Sequence, residues 1–68
     1  METVKHNPYM KLKGKMREHN LTAGDIAKLL NLSVTAVLQK INGQSDFTLS
    51  EAIKIVRAYN WSVDIFLN

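Results

Sequence analysis

Cysteine is absent from this sequence of 68 residues, which also has one proline, three glycines and only 7% aromatic residues. Without cysteine the chain forms neither a disulfide nor a thiolate zinc site, and its two histidines, His6 and His19, make a poor metal ligand set. No apolar run approaches the roughly 18 residues of a membrane-spanning helix, and no export signal is recognisable. We therefore expect one small soluble domain in the cytoplasm, held together by packing alone, with no metal and no cofactor.

Residue sets for catalysis are also missing from the sequence. It has no Ser-His-Asp set at useful spacing, no paired carboxylates in an apolar setting and no glycine-rich phosphate loop. We therefore expect that the protein is not an enzyme.

The charge of the chain is unevenly distributed. Nine basic and six acidic residues give a net charge of +3, and the whole excess lies within residues 1–20. A basic segment of this kind favours an anionic partner. Lys13 and Lys15 are therefore candidate contacts to phosphate, although a solvated helix face that keeps a small protein soluble is an equally simple interpretation.

Capping residues divide the chain into five short helices and leave no credible strand. A full Thr-x-x-Glu capping box starts at Thr48, and Thr22 opens a similar box with Asp in the Glu position. Asn7 followed by Pro8 is typical of a helix start. The predicted helices begin after Asn7, Thr22, Ser33, Thr48 and Ser62, and they end near Asn20, Asn31, Ile41, Asn60 and Leu67.

Apolar side chains at helical spacing predict the core. In helix 1 the expected apolar face consists of Tyr9, Leu12 and Met16. In helix 4 it consists of Ile53, Val56 and either Ala58 or Tyr59, and the core is closed by Trp61.

The segment between helices 2 and 3 has a more specific spacing. Two helices joined by a three-residue turn cross closely, so a small residue is needed at the contact, and Ala27 fills that place. Asn31 supplies a left-handed turn position four residues later, and Val37 packs the next helix against the first. This arrangement resembles the helix-turn-helix of DNA-binding proteins, whose second helix lies in the major groove.

Helix 3 has an outward face that is short, polar and nearly uncharged. On a wheel of about 100° per residue, an inward Val37 places Ile41 beside it and turns Thr35, Gln39 and Asn42 outward. Glutamine is a natural bidentate partner of adenine, while threonine and flanking apolar side chains suit thymine methyl groups. The face therefore fits a groove of DNA.

Several short motifs in this chain lie at the spacing of a known family. They are Leu21-Thr22, Ile26-Ala27, Leu32-Ser33, Asn42-Gly43 and Ser62-Val63-Asp64. With them, the stretch from Leu12 to Leu67 resembles the five-helix, lambda-repressor-like domain of Cro/repressor-type regulators, the Xre family. The run Phe47-Thr48-Leu49-Ser50-Glu51 is similar to small phage-associated members from Gram-positive bacteria.

The resemblance implies an all-α domain at residues 8–68, preceded by an arm at residues 1–7. It implies a phage-type repressor or Cro-like protein near the bacterial nucleoid, which binds double-stranded operator DNA as a homodimer. Phe66 and Leu67 are candidate contacts with the second subunit. Base reading is assigned to Val34, Thr35, Leu38, Gln39 and Asn42, and phosphate binding to Thr22, Ala23, Ser33, Gly43, Gln44, Ser45 and Thr48.

Three departures from the family pattern involve four positions. Ala23 stands where the family often has Gln, which removes one anchoring contact. Lys40 occupies a place that is commonly apolar, so we expect Ile41 to take over its packing role. Met16 and Ile41 replace a buried Arg and Glu pair, and a dry contact can substitute for such a pair at little cost.

A second function class remains open from the sequence. The apolar Val34 and Leu38 lie on a face where strong base readers such as arginine are absent. A protein-interaction module, such as an antirepressor or adaptor that keeps the fold without reading DNA, is therefore the alternative.

Overall fold

Four α-helices and one 3₁₀ turn form residues 8–67, the part of the chain that the computed structural model describes. No helix within residues 8–67 is long and apolar enough to cross a membrane. In this part of the chain, no group of three or more His, Asp or Glu side chains is placed to hold a metal ion. The elements are α1 (Met10–Glu18), α2 (Ala23–Leu30), α3 (Val34–Asn42), α4 (Leu49–Tyr59) and the C-terminal turn (Val63–Phe66).

The predicted caps of α2, α3 and α4 are confirmed. Thr22 and Thr48 each accept a hydrogen bond from the third helical amide, and the acidic side chain at that position accepts one from the cap amide. Ser33 accepts a bond from the Ala36 amide at 3.1 Å. Left-handed residues end these three helices, namely Asn31 (φ 58°), Gly43 (φ 95°) and Asn60 (φ 56°).

The predicted start of α1 is wrong, because the helix begins two residues later at Met10 and Pro8 precedes it. Tyr9 has a non-helical conformation, in which its amide donates to the Ile41 carbonyl at 3.1 Å. Its phenol also donates to the Asp46 carboxylate. Asn7 and the predicted arm at residues 1–7 lie outside the described residues.

The predicted fifth helix is also wrong, because Val63–Phe66 forms a single 3₁₀ turn. Ser62 caps this turn as expected, by accepting a bond from the Asp64 amide at 3.3 Å. So short a segment gains too few hydrogen bonds to nucleate an α-helix. Its conformation follows instead from the packing of Ile65 and Phe66 against the rest of the chain.

The core lies where all five elements meet. Leu12, Ile26, Val37 and Ile55 are its fully buried large side chains. The predicted apolar face of α4 is partly wrong. The side chains that pack inward are Ala52, Ile55, Val56 and Tyr59, a set spaced at i, i+3, i+4 and i+7, whereas Ile53 is half-buried and Ala58 is exposed.

Candidate nucleic-acid interface

The turn between α2 and α3 has the predicted geometry. Asn31 adopts the left-handed conformation, and the Leu32 amide donates to the Ala27 carbonyl at 2.9 Å. Ala27 is 5% exposed, and Val37 of α3 is fully buried. A small residue and a β-branched residue therefore hold the two helices together, and this packing sets the orientation of α3.

The outer face of α3, defined here as Val34, Thr35, Leu38, Gln39 and Asn42, is exposed as predicted. Its two apolar side chains, Val34 and Leu38, are 47% and 45% exposed. On the opposite side Val37 and Ile41 are buried. All five predicted base-reading side chains therefore lie on one accessible surface.

Lys40 is held away from this outer face. Its ammonium group forms an ion pair with the Glu51 carboxylate at 3.1 Å, and it donates to the Asp46 carbonyl at 2.7 Å. It also lies 5.8 Å from the centre of the Phe47 ring. Only 15% of the Lys40 side chain is exposed. Lys40 thus joins the end of α3 to the start of α4, while Ile41 takes the packing role expected of it.

A groove of about 440 Å³ runs along one edge of the outer face. It brings together predicted base readers from α3, predicted phosphate contacts from α1 and α2, and an apolar floor. We call it the α1–α3 groove, and its lining consists of Lys13, Met16, Arg17, Leu21, Thr22, Ala23, Leu38, Ile41 and Asn42.

The start of α2 forms one end of this groove and carries a negative charge. The Thr22 amide and hydroxyl donate to the Asp25 carboxylate at 2.8 and 3.1 Å. These bonds lower the pKa of Asp25, which is therefore ionised at neutral pH. Helix geometry leaves the Ala23 and Gly24 amides without acceptors inside the helix.

Comparison with known proteins defines the family. Residues 10–68 match the family described as the BetR domain. The chain belongs to the BetR-domain family. No curated protein matches it. Among solved structures it is similar to a transcriptional regulator from Listeria innocua, with 24% sequence identity and a TM-score of 0.77. The similarity covers 93% of this chain and 59% of that protein, and it shows a shared helical fold.

Helix α1 of this BetR domain divides its basic side chains between two grooves. Lys13 and Arg17, spaced at i and i+4, line the α1–α3 groove. Lys11 and Lys15 line a different groove of about 410 Å³ beside Trp61, and Lys15 pairs there with Glu18 at 3.7 Å. The structure thus brings Lys13 to the candidate interface, leaves Lys15 away from it and adds Arg17. The four-residue spacing from Lys13 is the sequence signal for Arg17.

The loop after α3 is tied to the helix end. The Gln39 carbonyl accepts bonds from the amides of Gly43, Gln44 and Ser45, the last two at 2.9 and 3.3 Å. Gly43 is buried and its amide is used, so it acts as a helix stop. Gln44 and Ser45 are half-buried, whereas the caps Ser33 and Thr48 are exposed. The amides of this loop therefore already have an acceptor.

The two candidate subunit contacts have different surroundings. Phe66 packs edge-on against Tyr9 and Phe47 with ring centres 5.4 Å apart in each case. Leu67 is 59% exposed. Phe66 thus belongs to the internal packing of the BetR domain, and Leu67 alone of this pair faces outward.

Proposed function

We propose that this BetR domain is the DNA-binding part of a transcriptional regulator, with α3 inserted in the major groove of double-stranded DNA. The observation that carries the proposal is the outer face of α3, which is exposed, uncharged and bordered by a groove with two cations. The helix-turn-helix geometry and the fold shared with a protein described as a transcriptional regulator support it.

Attraction to the DNA backbone comes mainly from Lys13 and Arg17. Both line the α1–α3 groove, next to the α3 side chains that would enter the DNA. Phosphate also suits the amides at the start of α2, but the charged Asp25 lies beside them and weakens this contact. Ser33, Gln44, Ser45 and Thr48 remain secondary phosphate candidates. Gly43 and Lys15 are not among the proposed phosphate contacts.

Sequence specificity in this proposal requires two copies of the domain. One short recognition helix makes few base contacts, so a homodimer on a two-fold operator would place two such helices about 34 Å apart. The exposed Leu67 is the candidate for the contact between subunits. Repression, as a phage-type or Cro-like regulator, is the mode of action that the sequence motifs favour.

Selection of bound sites from a random duplex pool, followed by titration against a scrambled duplex, tests the proposal. We expect a selected site to bind more tightly than the scrambled one, and Gln39→Ala to cost about 1–3 kcal/mol at one base-pair position. Equal affinity for both duplexes at moderate salt would contradict sequence-specific binding.

Salt dependence tests the assignment of the cations. We expect Lys13→Gln to weaken binding to all duplexes and to lower the slope of log K against log salt by about 0.9, and Arg17→Gln to act similarly. Lys15→Gln is the matched control on the same helix and should leave the slope unchanged. A slope that falls only with Lys15→Gln would place the DNA on the opposite side of α1.

A protein-interaction module is the second candidate function. The exposure of Val34 and Leu38 beside an apolar groove floor supports it. Mapping of amide chemical shifts on addition of DNA separates the two candidates. Shifts in α3 and around the α1–α3 groove support DNA binding, whereas shifts confined to α4 and the C-terminal turn, or none at all, support the module.

A further inference from the structure

The outer face of α3 carries no ionised group. Lys40 is the one charged residue within Val34–Asn42. Its ammonium group is held between the Glu51 carboxylate and the Asp46 carbonyl, and its side chain is only 15% exposed. Lys40 therefore points away from the outer face by its position on the helix, and its ion pair with Glu51 holds it there.

The chemistry of base recognition then restricts what this face can contact. Bidentate recognition of guanine uses Arg or Lys, and recognition of the cytosine amino group uses Asp or Glu. The outer face offers none of these. It offers the amides of Gln39 and Asn42, which suit adenine, and the hydroxyl of Thr35, which does not discriminate between bases. It also offers the apolar surface of Val34 and Leu38, which suits the 5-methyl group of thymine.

We infer that α3 of this domain reads A·T pairs, and that contacts of Val34 and Leu38 with thymine 5-methyl groups carry a large share of its specificity. The inference rests on the proposed DNA-binding function and names the base pairs that it selects. Val34 and Leu38 are spaced four residues apart and lie on the same side of the helix, so they meet neighbouring steps of one groove.

The cations nearest to the outer face do not alter this assignment. Lys13 and Arg17 project from α1 and line the α1–α3 groove, beside Leu38 and Asn42 rather than on α3 itself. From that edge they approach the backbone that borders a groove occupied by α3. Their expected contribution is attraction that does not depend on sequence.

Replacement of thymine by deoxyuridine tests the inference, because it removes only the methyl group. With the full chain and a site selected from a random duplex pool, we expect A·T pairs at the contacted positions. We expect a loss of about fourfold in affinity at one or two thymines when each is replaced singly, which is the effect of one buried methylene-sized group.

Two leucine variants connect that loss to a side chain. Leu38→Ala should weaken binding to the thymine site about fourfold and should abolish the uracil effect at one position. Leu49→Ala is the matched control, because Leu49 is 74% exposed on α4, and it should leave both values unchanged. An effect of uracil on DNA shape alone would persist in Leu38→Ala and would overturn the assignment of the methyl contact.

The outcomes also separate this inference from the proposed function. Sequence-specific binding to G·C pairs, or binding that is insensitive to uracil at every thymine, overturns the inference and leaves the proposed function standing. Guanine contacts that disappear in Arg17→Gln overturn it as well. Failure to select any site contradicts both.

Discussion

At the scale of single residues, Tyr9 shows how one side chain replaces a conventional helix cap. Its amide is bonded to Ile41 of α3, its ring packs on Phe66, and its hydroxyl donates to Asp46 in the loop after α3. Burial, together with the hydrogen bond and negative charge of Asp46, raises the pKa of Tyr9 to about 12 from 10.0. The neutral phenol is therefore favoured by the folded state.

This pKa predicts how stability changes in alkali. A group whose pKa is raised on folding stabilises fully below its unfolded pKa and loses that contribution as pH rises through its folded pKa. We expect the free energy of unfolding to fall between pH 10 and about pH 12, by about 2 kcal/mol from Tyr9. Urea titration at a series of pH values measures this change in the free energy of unfolding. Tyr9→Phe should lack this component, and parallel pH curves for the two proteins would contradict the prediction.

Two glycines predict opposite responses to the same substitution. Gly14 lies inside α1, and an added Cβ would meet nothing within 4 Å. Gly14→Ala should therefore raise stability by about 0.5–1 kcal/mol, or roughly 2–8 °C in Tm.

Gly43 is buried with φ 95°, so Gly43→Ala should destabilise by at least about 1 kcal/mol. Thermal unfolding checks both, and an unchanged or lower Tm for Gly14→Ala would show that the glycine is needed there.

At the scale of elements, the connection between α3 and α4 is held by side chains as well as by the chain itself. Lys40 at the end of α3 reaches Glu51, which closes the capping box of α4 by accepting from the Thr48 amide at 2.9 Å. Partial burial raises the pKa of Glu51, but the Thr48 amide and Lys40 outweigh it and lower the pKa overall. One ion pair thus links the end of α3 to the capping box of α4.

Removal of this ion pair should be measurable in stability. We expect Lys40→Met to lower the free energy of unfolding by about 1–2 kcal/mol at neutral pH, because it leaves a partly buried carboxylate without its cation. A lowered pKa stabilises at neutral pH and ceases to do so as the carboxyl is protonated in acid. The difference between wild type and Lys40→Met should therefore shrink as pH falls.

The matched control for this ion pair is Lys54→Met, the same substitution at an exposed position of α4. It should change stability by less than about 0.5 kcal/mol. An equal effect of the two substitutions at neutral pH would show that Lys40 contributes through general charge rather than through its contacts.

At the scale of the whole molecule, the small size of the domain limits what one copy can recognise. Its Cα extents are 35 × 24 × 22 Å, and residues 8–67 contain one candidate recognition helix. These dimensions allow two copies to lie side by side on one face of a duplex with their recognition helices one turn apart. Dimerisation on DNA is therefore geometrically accessible to the domain.

The spacing of half-sites tests this dimer proposal. Insertion of about five base pairs between the halves of a selected operator rotates one half by half a turn, and it should abolish cooperative binding. Insertion of about ten base pairs returns both halves to the same face of the duplex and should restore cooperative binding. Binding isotherms for the three duplexes should separate these cases, and identical isotherms would indicate that each copy binds alone.

Much of the local structure was predictable because its causes lie within a few residues. Thr22, Ser33 and Thr48 cap their helices as predicted, and Asn31 and Gly43 take the left-handed conformation that ends a helix. The exposed face of α3 followed from a period of about 100° per residue once Val37 was set inward. Capping, left-handed turns and amphipathic spacing are short-range effects, and neighbouring residues are sufficient to specify them.

Where prediction failed, contacts between distant residues decided the outcome. The start of α1 depends on Tyr9 meeting Ile41 and Asp46, which are more than thirty positions away in sequence. The aromatic cluster of Phe66, Tyr9 and Phe47, which the sequence did not predict, likewise joins residues that are far apart in the chain.

The charged residues show which properties follow from the sequence and which follow from tertiary contacts. The sequence by itself determined that this protein is cysteine-free, basic in its first twenty residues and built from short capped helices. Only the tertiary structure decided which cations face the candidate interface, because Lys13 and Arg17 line one groove, Lys15 lines another and Lys40 pairs with Glu51. Charge can be counted along a chain, but the partner that each charge meets depends on which distant elements pack beside it.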